Sequence, residues 1–239
     1  KNYSEKLADE MEFLKEMNHE RIPRFIDFGQ VKDGSSGQPV NVLVMQRMPG
    51  VSLEKEIQKR REYDARWKLE EVVEALNQIL DPLLEMAEKK RTHRDIKPAN
   101  IIFDKATKQY SLIDFGLSKF SKIGKHTTSS SDGHRWATVG WSAPEFWSDG
   151  ASGNTTDVYS LGVLMYYMLT LDEKDPKTYS SDSKNKSLSL ERQKRMREIG
   201  VEEWAIELMA DATHWELKER EKNCGSVRKF KGRLNEGGV

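Results

Sequence analysis

The chain has 239 residues, 36% of them hydrophobic, which is enough to bury a sizeable core as one large domain or two small ones. Its 39 basic and 39 acidic side chains balance, which excludes a global field favouring nucleic acid or a membrane surface. Because no apolar run approaches the ~20 residues of a membrane span and no signal-peptide pattern opens the chain, we expect an intracellular, cytoplasmic protein with no nucleic-acid partner and no membrane span.

The first predicted elements are a helix and two strands. Residues 4–17 predict the helix, with Ser4 as its N-cap. Its apolar residues recur along one face: Leu7, Met11, Leu14 and Met17. Residues 22–29 and 40–46 are rich in Ile, Phe and Val and predict two strands, separated by a flexible turn at residues 33–37.

Two helices are predicted next. A short polar helix is expected from residue 52 to about residue 61, and the basic pair Arg60 and Arg61 at its end is expected to be solvated. Residues 69–90 have apolar side chains at three- and four-residue spacing, which predicts a long buried helix. Pro82 in its interior removes a hydrogen bond and should bend it.

Chemistry-bearing side chains follow the long helix, on loops that flank a short Ile- and Phe-rich strand pair between residues 92 and 116. They comprise two carboxylates, a lysine and a carboxamide. Asp95 can accept a proton from an attacking hydroxyl, and Lys97 can neutralise a transferring phosphoryl group. Asn100 and Asp114 can supply the hard oxygen ligands that Mg²⁺ prefers.

The spacing HRDxKxxN, followed by DFG and then APE, resembles that of eukaryotic-type serine/threonine protein kinases. Here the three motifs occupy residues 93–100, 114–116 and 143–145. Each motif alone is weak, and their joint occurrence in this order makes the match specific. The resemblance covers residues 4–170 well. It implies an α+β, protein-kinase-like fold with a truncated small β lobe and a mainly helical large lobe.

The resemblance also implies a domain organisation and an activity. Residues 1–48 are expected to be a remnant of the N-terminal lobe, holding the family's C-helix, two or three strands and the start of the hinge, which residues 47–50 resemble. Residues 49–239 are expected to form the C-terminal helical lobe with the catalytic loop and activation segment. The implied reaction transfers the γ-phosphoryl group of ATP, with Mg²⁺, to Ser or Thr hydroxyls of a protein substrate. The lysine at position 97, two residues after Asp95, resembles the pattern of the serine/threonine branch of the family.

Further roles are carried over from the family to matching positions. Asp95 is expected to act as base, Lys97 as γ-phosphate contact, and Asn100 and Asp114 as Mg²⁺ ligands. Met45 is expected at the back of the adenine pocket, with ordinary core packing as the alternative. Two positions complete the nucleotide site: Met48, whose backbone would face the adenine edge, and Glu10, which the family pairs with a lysine or which is simply solvated.

Regulatory and supporting roles are implied as well. Arg94 is expected to pair with a phosphate placed on residues 118–131 by an upstream kinase; a merely flexible hydroxyl-rich loop is the alternative. Thr138 is expected to contact Asp95 and Lys97. The structural expectations are that Asp157 caps the catalytic-loop backbone, that Glu145 pairs with Arg220, and that His93 and Phe115 pack between the lobes.

The sequence departs from the family ahead of its first helix. The family places a Gly-rich phosphate loop and a lysine there, but the chain holds no GxGxxG and only nine residues before Glu10. Two interpretations stay open: a serine/threonine protein kinase, active or inactive in this truncated form, or a pseudokinase-like binding or scaffold module without catalysis. Small-molecule phosphotransfer on a kinase-like fold is disfavoured by the segment at residues 143–145.

The last part of the chain diverges most from the family. Residues 171–189 have no apolar period and predict an exposed or disordered insert. Helices are predicted at residues 189–199, with Ser189 as the N-cap, and at residues 202–212, followed by a final helix and tail from residue 215. The single Cys224 excludes an internal disulfide framework and is expected to be a partly buried apolar side chain.

Overall fold

The computed structural model describes residues 3–120, 140–145, 153–172 and 188–237. The helices within these ranges are α1 (Tyr3–Glu16), α2 (Leu53–Glu62), α3 (Leu69–Glu88), α4 (Asn154–Thr170), α5 (Leu190–Glu198), α6 (Glu203–Ala212), α7 (Leu217–Cys224) and α8 (Val227–Glu236). The strands are β1 (Phe25–Lys32), β2 (Pro39–Met45), β3 (Val51–Ser52), β4 (Arg91–Thr92), β5 (Ile101–Asp104), β6 (Gln109–Leu112) and β7 (Lys119–Phe120), and a 3₁₀ turn spans Pro98–Asn100. The predictions for Thr138 and most of the 118–131 and 171–189 segments lie outside the described residues.

Strands β1 and β2 form an antiparallel hairpin, with Phe25 opposite Met45 and Lys32 opposite Pro39. The predicted turn is present: the Asp33 carbonyl accepts the N–H of Gly37 at 2.8 Å. The first strand begins three residues later than expected, at Phe25. The reason is that Ile22 is buried in a turn, where its apolar side chain joins the core without pairing in a sheet.

Helix α1 buries a face rotated from the predicted one. Among its described side chains Glu10, Phe13 and Leu14 are buried, and Met17, directly after the helix, is buried as well. Leu7 and Met11 are only partly buried, because the Phe13 ring turns inward to stack on Phe115, with ring centroids 4.4 Å apart. The helix begins at Tyr3, so Ser4 lies in its first turn and the predicted N-cap is wrong.

The large lobe is built around α4, whose residues from Thr155 to Thr170 are all buried. Helices α3, α6, α7 and α8 pack against it, which explains why α4 is apolar on every side. Helix α3 buries the predicted apolar stripe, and Pro82 lies buried within it. No helix in the described ranges is long and apolar enough to cross a membrane.

A three-stranded antiparallel sheet, ordered β3, β5, β6, joins the hinge to the loops that follow α3. Val51 pairs with Phe103, and Ile101 pairs with Leu112. Gly50, just before β3, has φ of 112° and lies so close to the Phe103 carbonyl that an added Cβ would overlap it. Only glycine permits this approach, which holds the hinge against the sheet.

The basic pair at the end of α2 is engaged with the protein, so the expectation of a solvated pair is wrong. Arg60 Nε binds Glu56 Oε1 at 2.9 Å, and its guanidinium lies 4.0 Å from the centroid of the Trp67 ring. Arg61 Nε donates to the Leu171 carbonyl at 2.8 Å. Because α2 lies beside the last turn of α4, a cation there satisfies a carbonyl at the helix end.

The C-terminal segment contains two helices where one was predicted. Helix α7 ends at Cys224, and Ser226 caps α8 by accepting the N–H of Lys229 at 3.1 Å. The predicted cap of α5 is confirmed, since Ser189 accepts the N–H of Arg192 at 3.3 Å. Cys224 is fully buried, beyond the partial burial expected, and burial raises the pKa of its thiol to about 11.

Candidate active site

The loop between β4 and β5 places two polar side chains around one carboxylate oxygen of Asp95. Asp95 Oδ2 accepts from Lys97 Nζ at 2.7 Å and from Asn100 Nδ2 at 2.8 Å. Asn100 Nδ2 also donates to the Asp95 carbonyl at 2.9 Å. Asp95 and Asn100 are both buried. The carboxylate is therefore held in one orientation before any ligand arrives.

Asp157, in the first turn of α4, supports this loop from below. Its two carboxylate oxygens accept the N–H groups of His93 at 2.9 Å and Arg94 at 2.8 Å, as the capping expectation requires. Burial raises the pKa of Asp157, while His93 and the two N–H donors oppose that rise. Arg94 has φ of 73°, an unfavourable conformation for a non-glycine residue, which these hydrogen bonds help to hold.

Phe115 and His93 pack as expected. Both are fully buried, and their ring centroids lie 5.0 Å apart in a tilted arrangement. Phe115 also stacks on Phe13, so α1 contacts the loops of the large lobe through a row of three rings. Asp114, one residue earlier, has φ of 64° and is exposed towards the interlobe cleft. The backbone reversal thus separates a buried ring from an exposed carboxylate.

Glu10 is buried, so the solvated alternative for this residue is wrong. Its Oε1 accepts the backbone N–H of Phe115 at 3.0 Å. No lysine or arginine forms an ion pair with it in the part of the chain that the structure describes. Burial raises the pKa of Glu10; the Phe115 N–H opposes the rise and the negative Asp114 adds to it. Sequence reasoning missed the backbone donor, which no residue type signals.

A cleft of about 1310 Å³ collects most of the expected site residues. Met45 and Met48 line its hinge side, and Asp95, Lys97 and Asp114 line the opposite side. Glu10 also lines it. Met45 packs against the core at the same time, so its two alternatives are compatible. Arg94 and Asn100 do not line the cleft; Asn100 lies behind Asp95, which it orients.

The side-chain oxygens of Asp114 and Asn100 are of the chemical type that binds Mg²⁺. Asp114 presents a carboxylate to the cleft, and Asn100 has a side-chain oxygen left over because its Nδ2 is committed to Asp95. Mg²⁺ prefers hard oxygen ligands, takes one or two from the protein and completes its shell with water and phosphate oxygens. Within the described ranges no group of three or more His, Cys, Asp and Glu side chains gathers to hold a metal.

Arg94 and Arg220 are both buried. Burial lowers the pKa of the Arg94 guanidinium to about 10, opposed by Asp157, so Arg94 stays charged at neutral pH. Arg220 is completely buried and forms the predicted ion pair with Glu145. Its guanidinium also lies 5.4 Å from the centroid of the Tyr159 ring.

Comparison with known proteins agrees with this geometry. The protein kinase domain family matches residues 1–224, and the chain belongs to that family. The chain is 28% identical to the calcium/calmodulin-dependent protein kinase cmkA of Emericella nidulans, over 67% of this chain and 36% of the relative. It is 28% identical to a probable serine/threonine-protein kinase, PBL12 of Arabidopsis thaliana, over 84% and 42%. For the serine/threonine-protein kinase nekl-2 of Caenorhabditis elegans the values are 30%, 70% and 45%.

The chain therefore spans less than half the length of these curated relatives. The predicted resemblance to serine/threonine protein kinases and the predicted α+β kinase fold are confirmed. Protein kinases as a family use ATP and Mg²⁺.

Proposed function

We propose that this chain transfers the γ-phosphoryl group of ATP to Ser or Thr hydroxyls of protein substrates. The observation that carries the proposal is the single Asp95 oxygen held by both Lys97 and Asn100 beside a cleft that also receives Asp114. In this proposal residues 1–48 form the small-lobe portion and residues 49–239 the large lobe.

Asp95 serves as the base. Its carboxylate accepts the proton of the substrate hydroxyl while that oxygen attacks the γ-phosphorus and the bond to the β-phosphate bridging oxygen breaks, releasing ADP. Lys97 Nζ, 2.7 Å from Asp95 Oδ2, is placed to neutralise charge on the transferring group. Because Asn100 and Asp157 fix the loop, the rate depends mainly on positioning.

The remaining residues hold the nucleotide and metal. Met45 and Met48 line the hinge side of the cleft, where Met45 packs on the adenine and the Met48 backbone faces its edge. Asp114 and the side-chain oxygen of Asn100 would hold Mg²⁺, which would neutralise phosphate charge when bound. Glu10 forms its ion pair with a cation that lies outside the described residues, as the family pattern implies.

Two residues are proposed to regulate the site. The buried, charged Arg94 pairs with a phosphate added within residues 118–131 by an upstream kinase, because guanidinium geometry suits phosphate. Thr138 contacts Asp95 and Lys97 from the activation segment. Both roles predict that phosphorylation of the chain raises its activity, through ordering of the segment that presents the protein substrate.

A second candidate function is binding without catalysis. The observation that favours it is Glu10, a buried carboxylate whose usual lysine partner is lacking from the described residues. A chain without that lysine would position the α- and β-phosphates poorly, since the lysine–glutamate ion pair has to be in place for catalysis in protein kinases.

Labelled ATP with Mg²⁺ and a mixed Ser, Thr and Tyr protein substrate separates the two functions. We expect label on Ser or Thr, and a loss of at least about a hundredfold in Asp114→Asn. Asp64→Asn is the matched control, because Asp64 is also exposed with positive φ and lies outside the cleft. Wild-type transfer no greater than that of Asp114→Asn would contradict the kinase proposal and favour the binding module.

A further inference from the structure

A second groove, of about 770 Å³, lies on the large lobe and shares no lining residue with the cleft. It runs between the first half of α3, the start of α6 and the end of α8. Its apolar residues are Leu69, Val73 and Trp204, which are partly buried and pack against the core. Gly237 lies so close to the Trp204 indole that an added Cβ would overlap the ring. The groove wall formed by these two residues is therefore tightly packed.

Three carboxylates surround the apolar residues. Glu70 and Glu74 are exposed, lie one helical turn apart on α3, and have no ion-pair partner among the residues that the structure describes. Glu202, at the start of α6, accepts the indole N–H of Trp204 at 3.1 Å. Like charges one turn apart on a helix repel each other, so a cation placed between Glu70 and Glu74 would relieve an unfavourable interaction.

The two basic side chains of the groove are already engaged. Lys231 Nζ lies 2.7 Å from Asp81 Oδ1, and Arg21 Nε lies 4.0 Å from Asp81 Oδ2. Arg21 also donates to Gln78 at 2.8 Å. With Asp81 committed to these two cations, the charge left for a ligand is the negative charge of the glutamates. Asn77, on the same wall, has a buried Oδ1 with no hydrogen-bond partner in the described part of the chain.

We propose that this groove binds a segment of a partner protein in which an arginine or lysine neighbours a large aliphatic side chain. The aliphatic group would pack on Val73 and Trp204, and the cation would lie between Glu70 and Glu74. An entirely apolar segment would remove water from the carboxylates without compensation. An acidic segment would be repelled. A cation near Trp204 would gain further from the face of the indole ring.

The test measures how a short peptide of alternating arginine and leucine binds to the full chain. Binding is detected by the change in tryptophan fluorescence, without ATP. We expect saturable binding whose fluorescence change disappears in Trp204→Phe. In the double variant Glu70→Gln, Glu74→Gln the dissociation constant should rise roughly tenfold, since each exposed ion pair contributes modestly. Added salt should weaken binding to the unaltered chain more than to the double variant.

Matched controls make the result decisive. A peptide with glutamate in place of arginine should not bind, and the double variant Glu54→Gln, Glu62→Gln on the exposed face of α2 should bind as the unaltered chain does. Equal binding of both peptides, a signal retained in Trp204→Phe, or no binding of the basic peptide to the unaltered chain would each overturn the proposal. Equal thermal unfolding of all variants shows that loss of binding is not loss of fold, and phosphotransfer plays no part in the readout.

Discussion

The buried carboxylate of Glu10 lines the cleft from α1, and the buried carboxylate of Asp157 supports the loop on the other side from beneath, with different hydrogen bonding. Asp157, under the catalytic loop, accepts two backbone N–H groups, one with each oxygen. Glu10, on α1, accepts only the N–H of Phe115. Burial raises the pKa of both groups. On the large-lobe side, each carboxylate oxygen of Asp157 therefore has its own hydrogen-bond donor. On the small-lobe side, only one carboxylate oxygen of Glu10 has a donor among the described residues.

The exposure of apolar side chains also differs between the small-lobe and large-lobe sides. The β1–β2 hairpin leaves large apolar side chains in solvent, with Ile26 60% exposed and Val44 43% exposed. The α4 helix, by contrast, is buried from Thr155 onwards. Substitutions in the large lobe should therefore cost the most stability, and relief of the buried charge on α1 should increase it.

The largest effect is expected at Arg220, a fully buried cation of the large lobe. Its replacement in Arg220→Met leaves the Glu145 carboxylate buried without its partner, which should destabilise the fold by about 3–5 kcal/mol. Urea unfolding measures this. The control is Arg228→Met, because the Arg228–Glu88 pair is exposed at both ends and should contribute below about 1 kcal/mol. Equal losses in the two variants would show that burial does not decide the contribution.

A middle effect is expected for Asp157→Asn. The amide keeps one acceptor but turns an NH₂ group towards the second backbone N–H, so either His93 or Arg94 loses its partner. A buried unsatisfied donor costs about 1–3 kcal/mol, and removal of the buried charge offsets part of that loss. Denaturant unfolding should give a lower midpoint with an unchanged slope. An unchanged midpoint would mean that the two hydrogen bonds do not stabilise the loop.

The smallest effect, and one of opposite sign, is expected for Glu10→Gln. The amide oxygen still accepts the Phe115 N–H while the buried charge is gone, so the thermal midpoint should rise by about 2–4 °C, or roughly 1 kcal/mol for a chain of this length. The control is Glu12→Gln, an exposed glutamate on the same helix, which should change stability by less than about 0.5 kcal/mol.

The same pair of chains gives a pH prediction. Because the folded-state pKa of Glu10 lies above its ordinary value of 4.5, the folded chain binds more protons than the unfolded chain between those two values. The stability contributed by this group therefore falls as pH rises through that range. The difference between Glu10→Gln and the unaltered chain should grow from acid to neutral pH. A difference that is constant or shrinks with rising pH would contradict the burial argument.

The catalytic loop was predictable because its chemistry is local. Asp95, Lys97 and Asn100 lie within six positions of one another, so motif spacing alone brings them together. Helix α3 was also predictable, because its apolar residues recur with the helical period. Asp157 was found only through the family resemblance, since nothing in its local sequence connects it to a loop more than sixty residues earlier.

The errors share a physical origin in long-range packing. The partner of Glu10 is a backbone N–H, and every residue except proline carries one, so no side-chain pattern marks it. Arg61 was expected in solvent because it lies in a charged run at the end of α2. The carbonyl that it binds belongs to Leu171, which ends α4 with φ of 54°, at a position where a glycine would usually signal the terminus. The inward turn of Phe13 had a signal, a large ring beside Leu14, but local periodicity favoured the neighbouring face.

Cys224 offers an experimental handle on the two sides of the cleft. It is the chain's one thiol, enclosed by the large lobe and protonated at neutral pH, so maleimide reagents would react far faster with a cysteine introduced at the surface. One reporter at Ser35 on the hairpin turn and another at Lys59 on α2 would then give a distance between the lobes with the natural cysteine left in place. That distance would report how nucleotide moves the hairpin against the large lobe.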